Sequence, residues 1–255
     1  MSALSSARQA ALKTLLGVLR DGRSADALMV EDTAGLADAR DVAFARALVF
    51  GVLREYRRLC AIRDQLLRSP LKSRDQDVAL IITLGLYQMI AMEVPAHAAV
   101  SESVALARQR GKPWAAKLVN ALLRRFQREQ DTCLAAVEQN PAVRWSVPDW
   151  LLTTFAADWP DDWQALLVAQ NQRAPMTLRV NRRKNSVAEY QQILSQAGIA
   201  ASPLDGFADA LVLERPVAVG ALPGFDTGLC SVQDASAQLA ADILAPQDGE
   251  RVLDA

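Results

Sequence analysis

The apolar positions of this chain recur at two periods, and the change between them divides it. Up to residue 130 the spacing is helical. Leu12, Leu15, Leu16 and Leu19 share one face of a helix over 5–21, which Gly22 ends. A short helical piece over Ala25–Val30 follows. Asp38 is placed to cap a longer helix running from Asp41 to Cys60, in which Val42, Leu48, Val49, Val52 and Leu53 are apolar. Another helix covers Cys60–Leu67 and stops before Pro70. Asp75–Met92 is apolar almost all round after its first turn, which predicts the centre of a bundle. Pro95 breaks it. Ala98–Arg110 is the next helix, and Gly111 separates it from a last one that starts with Pro113 near its first position and runs to Gln130. Short connections between these segments predict an all-helical bundle over residues 1–140.

Asn140-Pro141 opens a boundary, followed by short helices over Pro148–Trp159 and Pro160–Asn171. The period then changes. Met176–Asn181 alternates as a strand does, Val187–Ala197 is a helix ended by Gly198, and Ala210–Leu213 and Leu229–Val232 read as strands. Residues 141–231 therefore form a small α/β subdomain. In the last stretch, 232–255, Asp234 or Ser236 caps a helix over Ala235–Ala245, with Leu239, Ile243 and Leu244 on one face. Pro246 and Gly249 turn the chain, and Val252-Leu253-Asp254 begins a strand that ends on a carboxylate. In doubly wound α/β enzymes a first strand enters its ligand crevice in this way.

Charge sharpens this division. The 255 residues carry a net charge of −1, but residues 1–140 hold 20 Lys+Arg against 15 Asp+Glu, and residues 141–255 hold 8 against 14. A basic front half and an acidic back half assign any nucleic-acid contact mainly to the front. No run of 18 uncharged apolar residues occurs, so no membrane span is expected, and the N-terminus lacks the pattern of a signal peptide. Cys60, Cys133 and Cys230 are odd in number and far apart, which favours free thiols in a reducing cytoplasm. With one histidine and no Cys-x-x-Cys pair, no metal site is expected.

The stretches VQDASAQLAADIL (Val232–Leu244) and GERVLDA (Gly249–Ala255) resemble the entry to the methyltransferase domain of the bacterial 16S ribosomal RNA cytosine-5 methyltransferases, often called the Sun or Fmu family. PMTLRVN (Pro175–Asn181) is similar to the segment that precedes that domain. PAHAAVSESVALA (Pro95–Ala107) and GKPWAAKLVNALLRRF (Gly111–Phe126) resemble the NusB-type RNA-binding fold, known from an antitermination factor, which also forms the N-terminal domain of the methyltransferase family. The resemblance implies a NusB-like bundle, a small α/β subdomain, and the first helix and strand of a truncated Rossmann-like domain. It implies 16S rRNA as partner and S-adenosylmethionine as cofactor of the full-length family, with no cofactor expected on this chain alone. The family's cofactor loop and both catalytic cysteines are expected beyond Ala255. A second reading, from another class, is a stand-alone antitermination-type RNA-binding factor without catalysis. The residues after the bundle argue against it. A purely structural helical scaffold is remoter still. A monomer is expected.

The strongest candidate site is electrostatic. From Ser103 to Arg128 stand Arg108, Arg110, Lys112, Lys117, Arg124, Arg125 and Arg128, with no acidic residue among them. Lys117, Arg124 and Arg128 recur at i, i+7 and i+11 on one face of the last helix. Such a cluster neutralises phosphates and gains from counterion release, although a solvated helix face has the same composition. Arg54, Arg57 and Arg58 extend the surface, and Arg179 and Arg182, with Arg183 and Lys184, flank the first strand as a second candidate. Asp254 is the one candidate for the edge of a cofactor site. Gln233 and Asp234 read as helix entry. Thr132-Cys133 imitates the Thr-Cys motif of cytosine methyltransferases but follows a basic helix rather than an apolar strand, so no catalytic thiol is assigned. His97 orders a loop and has no catalytic partner at a motif spacing.

Overall fold

The computed structural model describes residues 3–92, 94–172 and 174–253, and it divides into two compact units, 1–171 and 172–255. The first is helical: α1 (Ala3–Asp21), α2 (Ala25–Thr33), α3 (Ala39–Arg54), α4 (Tyr56–Leu66), α5 (Gln76–Ala91), α6 (Ala96–Gln109), α7 (Pro113–Glu138), α8 (Pro141–Arg144), α9 (Asp149–Asp158) and α10 (Trp163–Asn171). As its pattern predicts, α5 is the central helix, with Val78, Leu80, Ile81, Ile82, Leu84 and Leu86 almost wholly removed from water. Asp38 caps α3 by accepting a hydrogen bond from the Arg40 amide at 2.8 Å.

Two helix boundaries depart from the sequence pattern. The helix expected over Asp41–Cys60 is broken at Glu55, whose φ of −101° and ψ of 17° separate α3 from α4. Val52 and Leu59 both stay buried across the break. They are seven residues apart and keep one face either way, so the hydrophobic period does not register it. The helix expected to end at Gln130 instead runs to Glu138, with one non-helical residue, Glu129, at φ −114°. Cys133 and Val137 return the later turns to the core.

Pro141 opens α8 behind the Asn140 side chain, which accepts from the Val143 amide at 3.3 Å. The segment from α8 to α10 is tied within the helical unit. The Ser146 hydroxyl accepts from the Arg57 amide at 3.1 Å, and the Asn171 amide donates to the Trp145 carbonyl at 2.7 Å. The compact division accordingly falls after Asn171, downstream of the Asn140-Pro141 step that the composition marks.

The second unit contains β1 (Met176–Val180), α11 (Val187–Gln196), β2 (Ala201–Pro203), β3 (Ala210–Leu213), β4 (Cys230–Val232) and α12 (Ala235–Leu244). The strands form one antiparallel sheet in the order β2-β3-β1-β4. β1 and β2 flank β3 with α11 between them in sequence, which is a split β-α-β unit. Leu178 and Val180 of β1, Leu211 and Leu213 of β3, and Tyr190 and Leu194 of α11 make its core. Ser186 and Glu189 form a reciprocal capping box at the start of α11, and Gly198 takes a φ of +73° just beyond its end. β2 escapes the pattern because it is three residues long, half exposed and ends on Pro203. The strand expected at Val252-Leu253 is not formed. Both residues are exposed, and among the described residues they pair with no neighbouring strand.

Candidate nucleic-acid interface

Gly111, at φ +71°, turns the chain from α6 into α7 and sets Lys112 against the start of α5. The Lys112 ammonium lies 2.6 Å from Asp77 Oδ1 and 3.0 Å from Asp75 Oδ1, and it also donates to the Arg74 carbonyl at 3.2 Å. Burial acts to lower its pKa, but the hydrogen bonds to Asp77 and Asp75 outweigh that and hold it above the ordinary lysine value. Arg110 approaches Asp77 Oδ2 at 3.7 Å. These two cations, read from sequence as phosphate contacts, are therefore engaged at the N-terminus of α5.

The other predicted cations divide. Arg125 donates to Glu129 at 2.9 Å and to the Leu66 carbonyl at 3.3 Å, and Arg124 donates to the Gln127 side chain at 3.0 Å. Arg108, Lys117 and Arg128 are exposed and, among the described residues, enter no ion pair. Of the earlier basic run, Arg58 bridges Glu55 and Glu138 at 3.2 and 3.1 Å and so joins α4 to α7, while Arg57 is exposed.

Arg125 and Arg128 line one wall of an open groove of about 870 Å³. The opposite wall is the α4–α5 connection, which contributes Arg68, Lys72 and Arg74. The floor is apolar, made by Leu67, Leu71, Leu118 and Leu122, and Trp114 stands at the N-terminal end of the α7 wall with 52% of its surface exposed. Its acid, Asp75, is already bound by Lys112. Arg74 also lines a smaller cleft of about 180 Å³, together with Arg20, Arg110 and the Lys112-bound Asp77, so basic residues recur from the end of α1 to the middle of α7. Sequence reasoning overlooked Arg68, Lys72, Arg74 and Trp114. The visible signal is Arg68-Ser-Pro-Leu-Lys-Ser-Arg74, with three cations in one Pro-containing connection.

The second unit carries its own cleft, of about 620 Å³, lined by Arg179, Arg182 and Arg183 but also by Asp209 and Asp242. Arg182 is ion-paired with Asp209, Arg179 reaches the Gln233 side chain at 3.5 Å, and the Lys184 ammonium donates to the Thr227 carbonyl. Mixed charge and internal pairing leave this cleft less able to attract phosphate than the α7 groove. Asp234 caps α12 by accepting from the Ser236 amide at 2.9 Å, and hydrogen bonds from the Ser236 side chain and amide hold its carboxyl below the usual range.

All three thiols are poorly disposed toward thiolate chemistry. Burial raises the pKa of Cys60 against the opposing pull of Arg63 and Tyr56. Burial and then Glu129 raise that of Cys133, and burial raises that of Cys230 despite a Tyr190 hydroxyl 2.9 Å away. His97 is exposed in the first turn of α6. Among the described residues no cluster of His, Cys, Asp and Glu fits a metal, and no helix is long and apolar enough to cross a membrane. Asp254 lies outside the described residues.

Residues 5–128 match the NusB family, and residues 147–220 match the ferredoxin-like domain of RsmF/B-like methyltransferases. The chain thus joins a helical region that matches the NusB family to a segment that matches the ferredoxin-like domain of RsmF/B-like methyltransferases. In sequence it resembles the N-terminal part of the 16S rRNA methyltransferases of the Sun/Fmu type. It is 45% identical over 218 residues to ribosomal RNA small subunit methyltransferase B of Pseudomonas putida, covering 86% of this chain and 50% of that one. It is 42% identical over 248 residues to the protein of the same name from Pseudomonas syringae pv. tomato, covering 97% and 55%. The Vibrio cholerae relative is 45% identical over 215 residues, covering 84% and 50%. The chain spans about half the length of these curated relatives. The crystal structure of PH0851 superposes with a TM-score of 0.66 at 14% identity, covering 98% of this chain and 57% of that one, which speaks to the fold alone.

Proposed function

We propose that this chain is the RNA-engaging N-terminal portion of an S-adenosylmethionine-dependent 16S rRNA (cytosine-C5) methyltransferase. One observation carries the reading: the groove between α7 and the α4–α5 connection, in which Arg68, Lys72 and Arg128 face solvent and, among the described residues, enter no ion pair. Unpaired cations on one wall-lined surface release counterions when phosphate enters, and that release is the main source of sequence-independent affinity. The relatives' name as small-subunit rRNA methyltransferases supports RNA as the partner and methyl transfer as the activity of the whole protein.

That activity would draw its methyl group from adenosylmethionine and would need a cysteine thiolate as the nucleophile toward the base. The described residues do not fit that chemistry. The three thiols are shifted toward the protonated form, and the clefts are open surface grooves rather than a nucleoside-sized enclosure. The reading therefore puts the methyl-donor loop and the catalytic cysteines outside these 255 residues and gives the present chain the work of holding rRNA.

The test is a filter-binding titration of a 16S rRNA fragment against the 255-residue chain at several salt concentrations. Each phosphate neutralised on single-stranded RNA adds about 0.7 to the salt slope, so replacing Arg68, Lys72 and Arg128 by Ala is expected to reduce the slope by about 2. An unchanged slope removes the groove from the interface. Transfer of a labelled methyl group to rRNA by this chain alone overturns the assignment of the chemistry.

A further inference from the structure

The α7 groove is more than a patch of positive charge. Its floor is apolar, its rims are basic, and at one end an indole stands half out of the protein with no aromatic partner among the described residues. We infer that this groove takes an unpaired, extended stretch of RNA and that Trp114 stacks on one of its bases, an inference that rests on the RNA-binding reading above.

Each part of the groove has a matching part in a single strand. Trp114 has 52% of its surface exposed, a high value for the residue with most to gain from burial. It sits in the first turn of α7, rigidly positioned because Pro113 fixes the helix start and Ala115 and Ala116 beside it are buried. Arg125 and Arg128 stand on the same wall. Trp114 and Arg128 are fourteen residues apart, which is about 21 Å along the helix axis. That length suits several nucleotides laid along the wall with their phosphates toward Arg68, Lys72 and Arg128.

A closed RNA duplex fits less well. Its bases are already stacked, its major groove is too narrow for side chains, and proteins hold it through phosphates and 2′-hydroxyls on a broad shape. Neither an apolar floor nor a projecting indole contributes to that mode. Both contribute when bases are splayed out, because every base has a face that stacks on an aromatic ring. The preference is accordingly for loops, bulges and single-stranded joints of a folded RNA, with little discrimination among the four bases.

The test uses the 255-residue chain and one end-labelled oligoribonucleotide, free or annealed to its complement, followed by fluorescence anisotropy. The single strand is expected to bind more tightly than the duplex. Trp114→Ala is expected to weaken single-strand binding about ten-fold, which corresponds to about 1.4 kcal/mol, while Trp114→Phe keeps most of the affinity. Duplex binding is expected to change less than two-fold in either variant. Tryptophan fluorescence gives an independent readout: the single strand quenches part of the emission of the native chain, and that part is missing in Trp114→Phe. Equal or tighter binding of the duplex, with no effect of Trp114→Ala and no quenching at Trp114, overturns the stacking inference and leaves salt-dependent RNA binding standing. Absence of binding by either RNA overturns both.

Discussion

Replacing Lys112 by Met separates a structural cation from an RNA-binding one, because the two roles change different observables. The methionine retains the apolar stem and deletes the charge. In the native protein the ammonium is 2.6 Å from Asp77 and 3.0 Å from Asp75, and those carboxylates have only 10% and 13% of their side-chain surface exposed. Breaking a fully buried pair costs about 3–5 kcal/mol, and breaking an exposed one costs about 0–1 kcal/mol. Lys112 itself is 23% exposed, and Arg110 at 3.7 Å remains as a partial counter-charge. The expected loss is therefore intermediate, about 2 kcal/mol. For a unit spanning residues 1–171 such a loss lowers the melting midpoint by about 4–8 °C, read from the helical circular-dichroism signal. The pH dependence has a definite sign. A lysine whose folded pKa is raised stabilises fully below its ordinary value of ~10.4, and the contribution is lost as pH rises through the folded value above it. The gap between native and variant should be constant from neutral pH to ~10 and close beyond that. The salt slope of RNA binding should not move. A midpoint within about 1 °C of native, together with a slope reduced by about 0.7, would show that Lys112 reaches phosphate and that the ion cluster is incidental.

Three further outcomes follow from the packing. A methyl group added at Gly51 would lie 1.9 Å from the Tyr87 hydroxyl oxygen, so Gly51→Ala should destabilise the helical unit by about 1–3 kcal/mol in urea, even though alanine is the better helix former by about 1 kcal/mol; a variant at least as stable as native would mean that Tyr87 swings aside freely. Tyr190→Phe removes a hydroxyl that donates to the Pro223 carbonyl at 3.0 Å and meets the Cys230 thiol at 2.9 Å, and should cost the second unit about 1 kcal/mol with no change in melting of the helical unit. Because burial raises Cys60, Cys133 and Cys230, Ellman's reagent should titrate none of them rapidly at about pH 7.5 in the native chain and all of them in denaturant; a fast native phase at that pH would contradict the burial argument.

What the sequence discloses and what it hides follow the range of the interactions involved. The bundle centre at α5 was legible because Val78–Leu86 is apolar on every face, and no other environment tolerates that. The caps at Asp38 and Asp234 were legible because each bond closes within two residues. The split β-α-β unit was only half legible. β1 alternates and β3 is a short apolar run, so both carry their own signal, whereas β2 is recruited by pairing with β3, a partner about ten residues away, and owes little to its own composition. The break at Glu55 leaves the apolar face in phase on both sides, so it has no footprint in the pattern.

The basic surface is the extreme case of this dependence on distant partners. Between Ser103 and Arg128 the sequence offers seven cations of equal appearance, but the fold assigns them different work. Lys112 is spent on an acid 35 positions earlier, Arg125 is shared between Glu129 and the Leu66 carbonyl, and Arg128 keeps its charge for solvent. The groove then acquires its second wall from Arg68, Lys72 and Arg74, which no periodicity links to α7 because they lie in a connection between helices. Counting charges along one segment thus overstates the phosphate-binding capacity of that segment and misses the capacity brought to it by the fold. The same reasoning orders the two candidate surfaces. In the second unit Arg182 has Asp209 and the cleft includes Asp242, whereas in the α7 groove the one acid is already neutralised. Of two arginine-lined clefts, the one whose acid is satisfied from elsewhere retains an uncompensated field, and that is the surface an RNA backbone should find first.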